Sequence, residues 1–176
     1  ACALTQDGKL HCWGKGAMGQ LGSEATATVG AAAGDLPVIP DLGGQATAVR
    51  AGRNHTCALL DDQKVACFGD NSIGQLGTGS RVNAGDKPGT MGGALPRVDL
   101  GQGFKVVKLV SGLDFNCALS DRGQIKCWGA NEAGQLLAQA GHRGVVCSRS
   151  EQRRCTRPHF PAQQKHLYCN YWQSLQ

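Results

Sequence analysis

An all-β repeat fold follows from three observations on this chain. One block of residues recurs three times: a Cys-Ala-Leu triplet, a turn, a Cys-aromatic-Gly triplet ten residues after the first cysteine, then Gly-Gln-Leu. Within each block side chains alternate with the period of two that belongs to strands, and no helical period stands out. The blocks begin at Cys2, Cys57 and Cys117, so the spacing is 55 and then 60 residues, the mark of a repeat architecture.

Each block predicts a β-hairpin. A three-residue turn at Gln6-Asp7-Gly8 sets Cys2 opposite Cys12 and Leu4 opposite Leu10. The same arithmetic sets Cys57 opposite Cys67 and Leu59 opposite Val65, then Cys117 opposite Cys127 and Leu119 opposite Ile125. One hairpin face is therefore aliphatic and sulfur-bearing. The other carries Ala3, Ala58 and Ala118, with Trp13, Phe68 and Trp128 across from Ala1, Thr56 and Asn116.

The hairpin gives way to a turn that ends in Gly-Gln-Leu, at Gly19-Gln20, Gly74-Gln75 and Gly134-Gln135. Gly16, Asn71 and Asn131 occupy equivalent places, and these residue types predict a left-handed backbone there. The run Gly14 to Gly19 also matches the GxGxxG dinucleotide pattern. No helical pattern follows it, and the other copies lack its middle glycine, so the match is a coincidence of turn residues.

Between blocks a second strand pair is expected, beginning at Leu36-Pro37 and Leu95-Pro96, continuing through Val49 and Leu109, and leading into the next Cys-Ala-Leu strand. That makes four short strands per repeat. The stretches 22–35 and 77–94 are rich in Gly, Ala, Ser and Thr and read as surface connections.

The run His55-Thr56-Cys57-Ala58-Leu59, then Cys67-Phe68-Gly69, then Gly74-Gln75-Leu76-Gly77, resembles the repeat of the regulator of chromosome condensation family. The resemblance covers residues 1–140 and implies a β-propeller, usually of seven four-stranded blades. The expected fold is thus a partial β-propeller, about three of seven blades, with an irregular C-terminal tail. Blade fragments fall at about 1–22, 36–77 and 95–136, and Leu137 stands where Gly22 and Gly77 finish the turn in the other copies. Three repeats do not close a propeller, and open blades expose strand edges and apolar faces. With Ala1 inside a hairpin, the sequence is expected to be a fragment of a longer protein.

Composition agrees with strands and turns. The 26 glycines in 176 residues are about twice the usual frequency, and aromatic residues number only nine. No apolar run approaches the roughly 18 residues that a membrane-spanning helix needs. Residues 1–140 hold 12 Lys or Arg against 12 Asp or Glu, so the formal charge of +5 belongs entirely to the tail, 141–176. A neutral repeat region lacks the basic footprint of a propeller that grips nucleic acid. Arg149, Arg153, Arg154 and Arg157 read as a solvated segment.

Nine cysteines need an account. Cys2, Cys12, Cys57, Cys67, Cys117 and Cys127 fall in facing pairs, where modest adjustment allows a disulfide; the competing reading is a set of small buried thiols. Pairing in all three copies favours disulfides, and so an extracellular or secretory compartment, with cytoplasm or nucleus as the alternative. Asn54-His55-Thr56 is a glycosylation sequon that points the same way. His11 and His55 are expected to face solvent or a neighbouring blade. In the tail, Cys147, Cys155, Cys169, His142, His159 and His166 match no common zinc spacing, so no metal is expected.

No nucleophile, carboxylate pair or metal cluster is repeated, so neither catalysis nor a cofactor is expected. The function expected is a non-enzymatic interaction scaffold with a protein partner. The resemblance implies a second possibility, a regulatory propeller such as a small-GTPase exchange factor or a domain of a HECT-type ubiquitin ligase.

Overall fold

The structure, a computed structural model, describes residues 1–136 together with the backbone of 145–148. It contains three antiparallel sheets, and its one short helical turn among the described residues is a 3-10 segment at Gly92–Ala94. The first sheet pairs β1 (Cys2–Leu4) with β2 (Leu10–Cys12). The second runs β3 (Ala46–Ala51), β4 (His55–Leu60), β5 (Val65–Gly69). The third runs β6 (Val106–Ser111), β7 (Phe115–Ser120), β8 (Gln124–Gly129), β9 (Val145–Ser148). Each sheet is a meander of neighbouring strands, and together they are three successive blades of a β-propeller, with β3 and β6 side by side on the inner edge.

The hairpins follow the alternation of the sequence. Cys2 faces Cys12, Cys57 faces Cys67 and Cys117 faces Cys127, with Leu4–Leu10, Leu59–Val65 and Leu119–Ile125 two residues on. Trp13 N donates to Ala1 O and Thr5 N to Lys9 O. Cys2 and Cys12 therefore occupy the non-hydrogen-bonded sites of the ladder, where opposite residues approach most closely. Their Cα atoms are 4.1 Å apart, as are those of the other two pairs, and all three pairs have their sulfurs at disulfide distance.

The expected second strand pair divides between two sheets. Val38, next to Leu36-Pro37, bridges back to Cys12, and Arg97, next to Leu95-Pro96, bridges back to Ala66. These segments are the outermost strands of the blade just completed, shortened to single bridges where Pro37, Pro40 and Pro96 remove ladder donors. The strands through Val49 and Leu109 instead open the next blade as β3 and β6. In the third blade the outer strand is β9, which pairs Cys147 with Ile125 and lies within the segment read as an irregular tail. Leu137, Cys155, Cys169, the three tail histidines and the tail arginines lie outside the described residues.

Blade two is packed on both faces. Every residue of β4 and β5 is buried, and Cys57, Val65, Cys67 and Phe68 join Leu10, Leu21, Leu76 and Trp128 in one apolar cluster. The seams depend on Gly22 and Gly77, which close the Gly-Gln-Leu-Gly turns with φ of +66° and +67°. A Cβ at Gly22 would stand 2.8 Å from Met91 and 3.1 Å from Phe68; one at Gly77 would stand 2.8 Å from Trp128. Glycine here serves both the left-handed backbone and the close approach of the next blade's ring.

Candidate functional site

Two kinds of turn converge on one rim of the blades. One is the loop between each aromatic-Gly step and its Gly-Gln-Leu, residues 14–22, 69–77 and 129–136. The other is the tight turn between the first and second strands of a sheet, residues 51–55 and 111–115. Asp70 N donates to Asn54 O at 2.9 Å and Ala130 N to Asp114 O at 2.8 Å, binding loop to turn within a blade. Across the seam, Arg53 N donates to Leu113 O at 2.7 Å and the Arg53 guanidinium pairs with Asp114 at 3.2 Å.

The repeated glutamine has two tasks on this rim. Its side-chain oxygen closes its own turn, accepting from Met18 N at 2.8 Å in Gln20, Ile73 N at 3.0 Å in Gln75 and Ala133 N at 2.9 Å in Gln135. Its carbonyl locks the following blade. Gln20 O accepts from the Thr56 hydroxyl at 2.9 Å, and Gln75 O accepts from Asn116 Nδ2 at 2.8 Å and Trp128 Nε1 at 3.0 Å. The glycine that opens each Gly-Gln-Leu step, Gly19, Gly74 or Gly134, is left-handed, with φ of +75° to +85°.

Gly16, Asn71 and Asn131 are not left-handed, which corrects the reading from residue type. Gly16 is glycine because a Cβ there would collide with the carbonyl of Ala27. Asn71 is buried and uses its side chain: Nδ2 donates to Ser80 O at 3.1 Å and Val82 O at 3.0 Å, while Oδ1 accepts from Leu76 N at 3.0 Å. Asn131 Oδ1 accepts from Leu136 N at 3.0 Å in the same way. The dinucleotide-like run Gly14 to Gly19 folds as this turn, with Gly19 N bonded to Gly16 O at 2.8 Å.

Apolar side chains crown the rim. Met18 and Ile73 stand at equivalent tips and are each 40% exposed; Leu113, at the tip of the 111–115 turn, is 65% exposed, and Val82, beside Asn71, 71%. Lys15, Arg53 and Arg81 lie among them. On the opposite rim the hairpin turns carry ion pairs such as Lys9–Asp7 and Lys64–Asp62 and none of the large exposed apolar residues, while Val107, at the β6 bulge beside them, is 49% exposed. A small cavity between the first two blades opens by the 51–55 turn, lined in part by Lys15, Gln20, Arg53 and Asn54.

Beneath the rim lies His55, buried against the neighbouring blade, its Nε2 at 3.0 Å from Asn116 Oδ1. Burial pushes its imidazole below the ordinary histidine range, against the opposing influence of the Asn116 bond and of the Asp114 and Asp70 charges. Asn54 of the sequon is half-buried, its Oδ1 at 3.5 Å from Gln20 Nε2. Among the described residues no group of three or more His, Cys, Asp or Glu is gathered as a metal ion requires, and no helix is long and apolar enough to cross a membrane.

The repeat is one found in known proteins. Models of the regulator of chromosome condensation (RCC1) repeat match residues 7–59, 46–75 and 106–135. The chain belongs to the RCC1 repeat family. Protein RCC2 of Mus musculus is 34% identical over 134 residues, which are 76% of this chain and 24% of that protein. The probable E3 ubiquitin-protein ligase HERC6 of Homo sapiens is 31% identical over 134 residues, 76% of this chain and 12% of that one. The chain thus spans about a quarter or less of the curated relatives it matches. Human WBSCR16 superimposes with a TM-score of 0.61 at 22% identity, covering 83% of this chain and 36% of that one. Prp20p of Saccharomyces cerevisiae gives 0.54 at 24% identity, covering 74% and 31%. These likenesses show the propeller fold.

Proposed function

We propose that this RCC1-repeat segment is part of a non-enzymatic protein-interaction scaffold whose docking surface is the rim bearing Met18, Ile73, Val82 and Leu113. The observation that carries the reading is the asymmetry of the two rims. Exposed apolar side chains on rigidly bonded turns are the usual make-up of an interface core, with cations at its edge, whereas on the opposite rim the hairpin turns are polar and Val107 stands exposed by itself beside them. The Prp20p structure is described by its binding to Gsp1p and histones, which supports a protein partner for this surface as well.

A regulatory role is the second reading, favoured by the same Prp20p description and by the ligase name of HERC6. Acceleration of nucleotide release from a small GTPase by the full-length protein would support exchange activity; a catalytic domain elsewhere in the full-length protein would support the ligase form.

Two observations bear on the compartment and disagree. The relatives' association with chromosome condensation and histones supports nucleus or cytoplasm, and these relatives give no support to the extracellular placement. That placement rests on the cysteine pairs and, more weakly, on the Asn54-His55-Thr56 sequon. Alkylation of the natively purified protein separates them.

The scaffold reading is tested by affinity purification of the full-length protein in three forms: wild type, Ile73→Asp with Leu113→Asp, and Asp62→Lys on the opposite rim. Partners retained by wild type and by Asp62→Lys should be lost with the rim pair, all three proteins melting alike because the altered residues are exposed. Partner sets unchanged by the rim pair would refute the surface.

A further inference from the structure

We propose that the seam between the second and third blades is an acid-labile joint whose sensor is His55. The argument begins with Asn116, at the centre of the seam. Its Nδ2 donates to the carbonyl of Gln75 at 2.8 Å, which fixes the amide so that Oδ1 is the acceptor. Oδ1 takes one hydrogen bond from the Ser111 hydroxyl and faces His55 Nε2 at 3.0 Å. An oxygen has no proton to give, so Nε2 carries the imidazole hydrogen. Nδ1 is left as a bare lone pair, and it is buried without any hydrogen-bond partner.

Acid changes this arrangement at one atom. Protonation adds a hydrogen to Nδ1, where the structure supplies no acceptor, and adds a positive charge to a ring only 1% exposed. Space gives no relief: a Cβ at Gly52 would already meet the His55 ring at Nδ1 and Cε1. The charged groups around the ring come from each element packed against it. Asp70 follows β5 and is occupied by Ser72 and Gln75; Asp114 precedes β7 and is paired with Arg53, from the turn that leads into β4. Both carboxylates favour the imidazolium, neither touches Nδ1, and burial outweighs them.

The third blade supplies an internal control. Phe115 occupies the position equivalent to His55, and a Cβ at Gly112 would meet its ring just as one at Gly52 would meet the histidine. An apolar ring therefore fills this slot without help from a polar atom. Histidine in blade two adds the bond across the seam to Asn116 and, with it, sensitivity to acid.

The sign follows from linkage. The unfolded chain takes up a proton at His55 near the ordinary value of about 6.5, while the folded seam resists it to lower pH, so folding is penalised as pH falls below that value. Denaturant unfolding of the chain and of His55→Phe, followed from about pH 7.5 down to about pH 5, reads the effect. The unfolding constant of the wild type is expected to rise relative to that of the variant by up to about tenfold per pH unit below about 6.5. Parallel pH profiles would overturn the proposal. Independently of whether the variant folds, long-range proton–nitrogen spectra of the wild type should show a bare Nδ1 at neutral pH and a His55 midpoint below about 6.5. A protonated Nδ1, or a midpoint at or above that value, would overturn it too. Hydrogen exchange locates the joint: acidification should release amides of β4 and β7 before those of β8, and a uniform release would refute the seam.

Discussion

The Asn71 side chain ties its own loop to the stretch that follows, accepting from Leu76 N and donating to Ser80 O and Val82 O, and Gly16, at the same place in the first repeat, has no side chain to do so. The two residues solve different problems: Gly16 leaves room for the carbonyl of Ala27, while Asn71 fills a loop that turns differently. If side-chain bonding is the reason for asparagine, Asn71→Gly should lose as much stability as Asn71→Ala, about 3 kcal/mol from backbone groups left unmatched. Chemical denaturation of both variants checks this; a glycine variant as stable as wild type would restore the backbone explanation. Gly77 is the converse case. With φ at +67° and Trp128 against it, Gly77→Ala should cost at least about 2 kcal/mol, read as a lowered melting temperature, from backbone strain and from displacement of the ring.

At the scale of elements, the hairpins combine ladder, apolar pairs and a cysteine staple. The staple closes a loop of ten residues, so a disulfide contributes about 2–3 kcal/mol in the chain-entropy account. Replacing Cys57 and Cys67 together by serine should lower stability by about that amount under oxidising conditions, and somewhat more because two hydroxyls enter a buried site. Iodoacetamide labelling of natively purified full-length protein reads the redox state directly. Unlabelled hairpin cysteines that react only after denaturation and reduction are expected if the staples are formed; if they react after denaturation without reduction, thiols are present and a reducing compartment follows.

For the whole molecule, each blade contacts its neighbours in sequence, so stability is shared between blades and seams. Blade two has a partner on both sides and fully buried strands β4 and β5, whereas β1 and β2 are three residues each. Amide exchange of the isolated 176-residue chain should therefore be slowest in β4 and β5 and fastest in β1 and β2. Equal protection across the three sheets would show that the blades unfold as one unit. The rim is built from the same seams. The bonds that lock Gln20 and Gln75 to the next blade also hold Met18 and Ile73 at the surface, so a variant that loosens a seam should weaken partner binding as well as folding.

Repetition and alternation made the hairpins readable from the sequence. Three copies in register fixed which cysteines face each other, because side chains alternate strictly along a strand and a one-residue slip would bury the wrong face. The stretches between blocks were less legible, since Val38 and Arg97 pair backward while β3 and β6 open the next blade, a choice made by packing between blades. The repeated Gly-Gln-Leu was visible, but the partner of its glutamine carbonyl was not: Thr56, Asn116 and Trp128 are 36, 41 and 53 residues away. His55 is the clearest division between the two levels. Its burial was half anticipated by the neighbouring-blade reading, yet its tautomer depends on the amide of Asn116, 61 residues on, and only the tertiary structure brings imidazole nitrogen and amide oxygen to 3.0 Å.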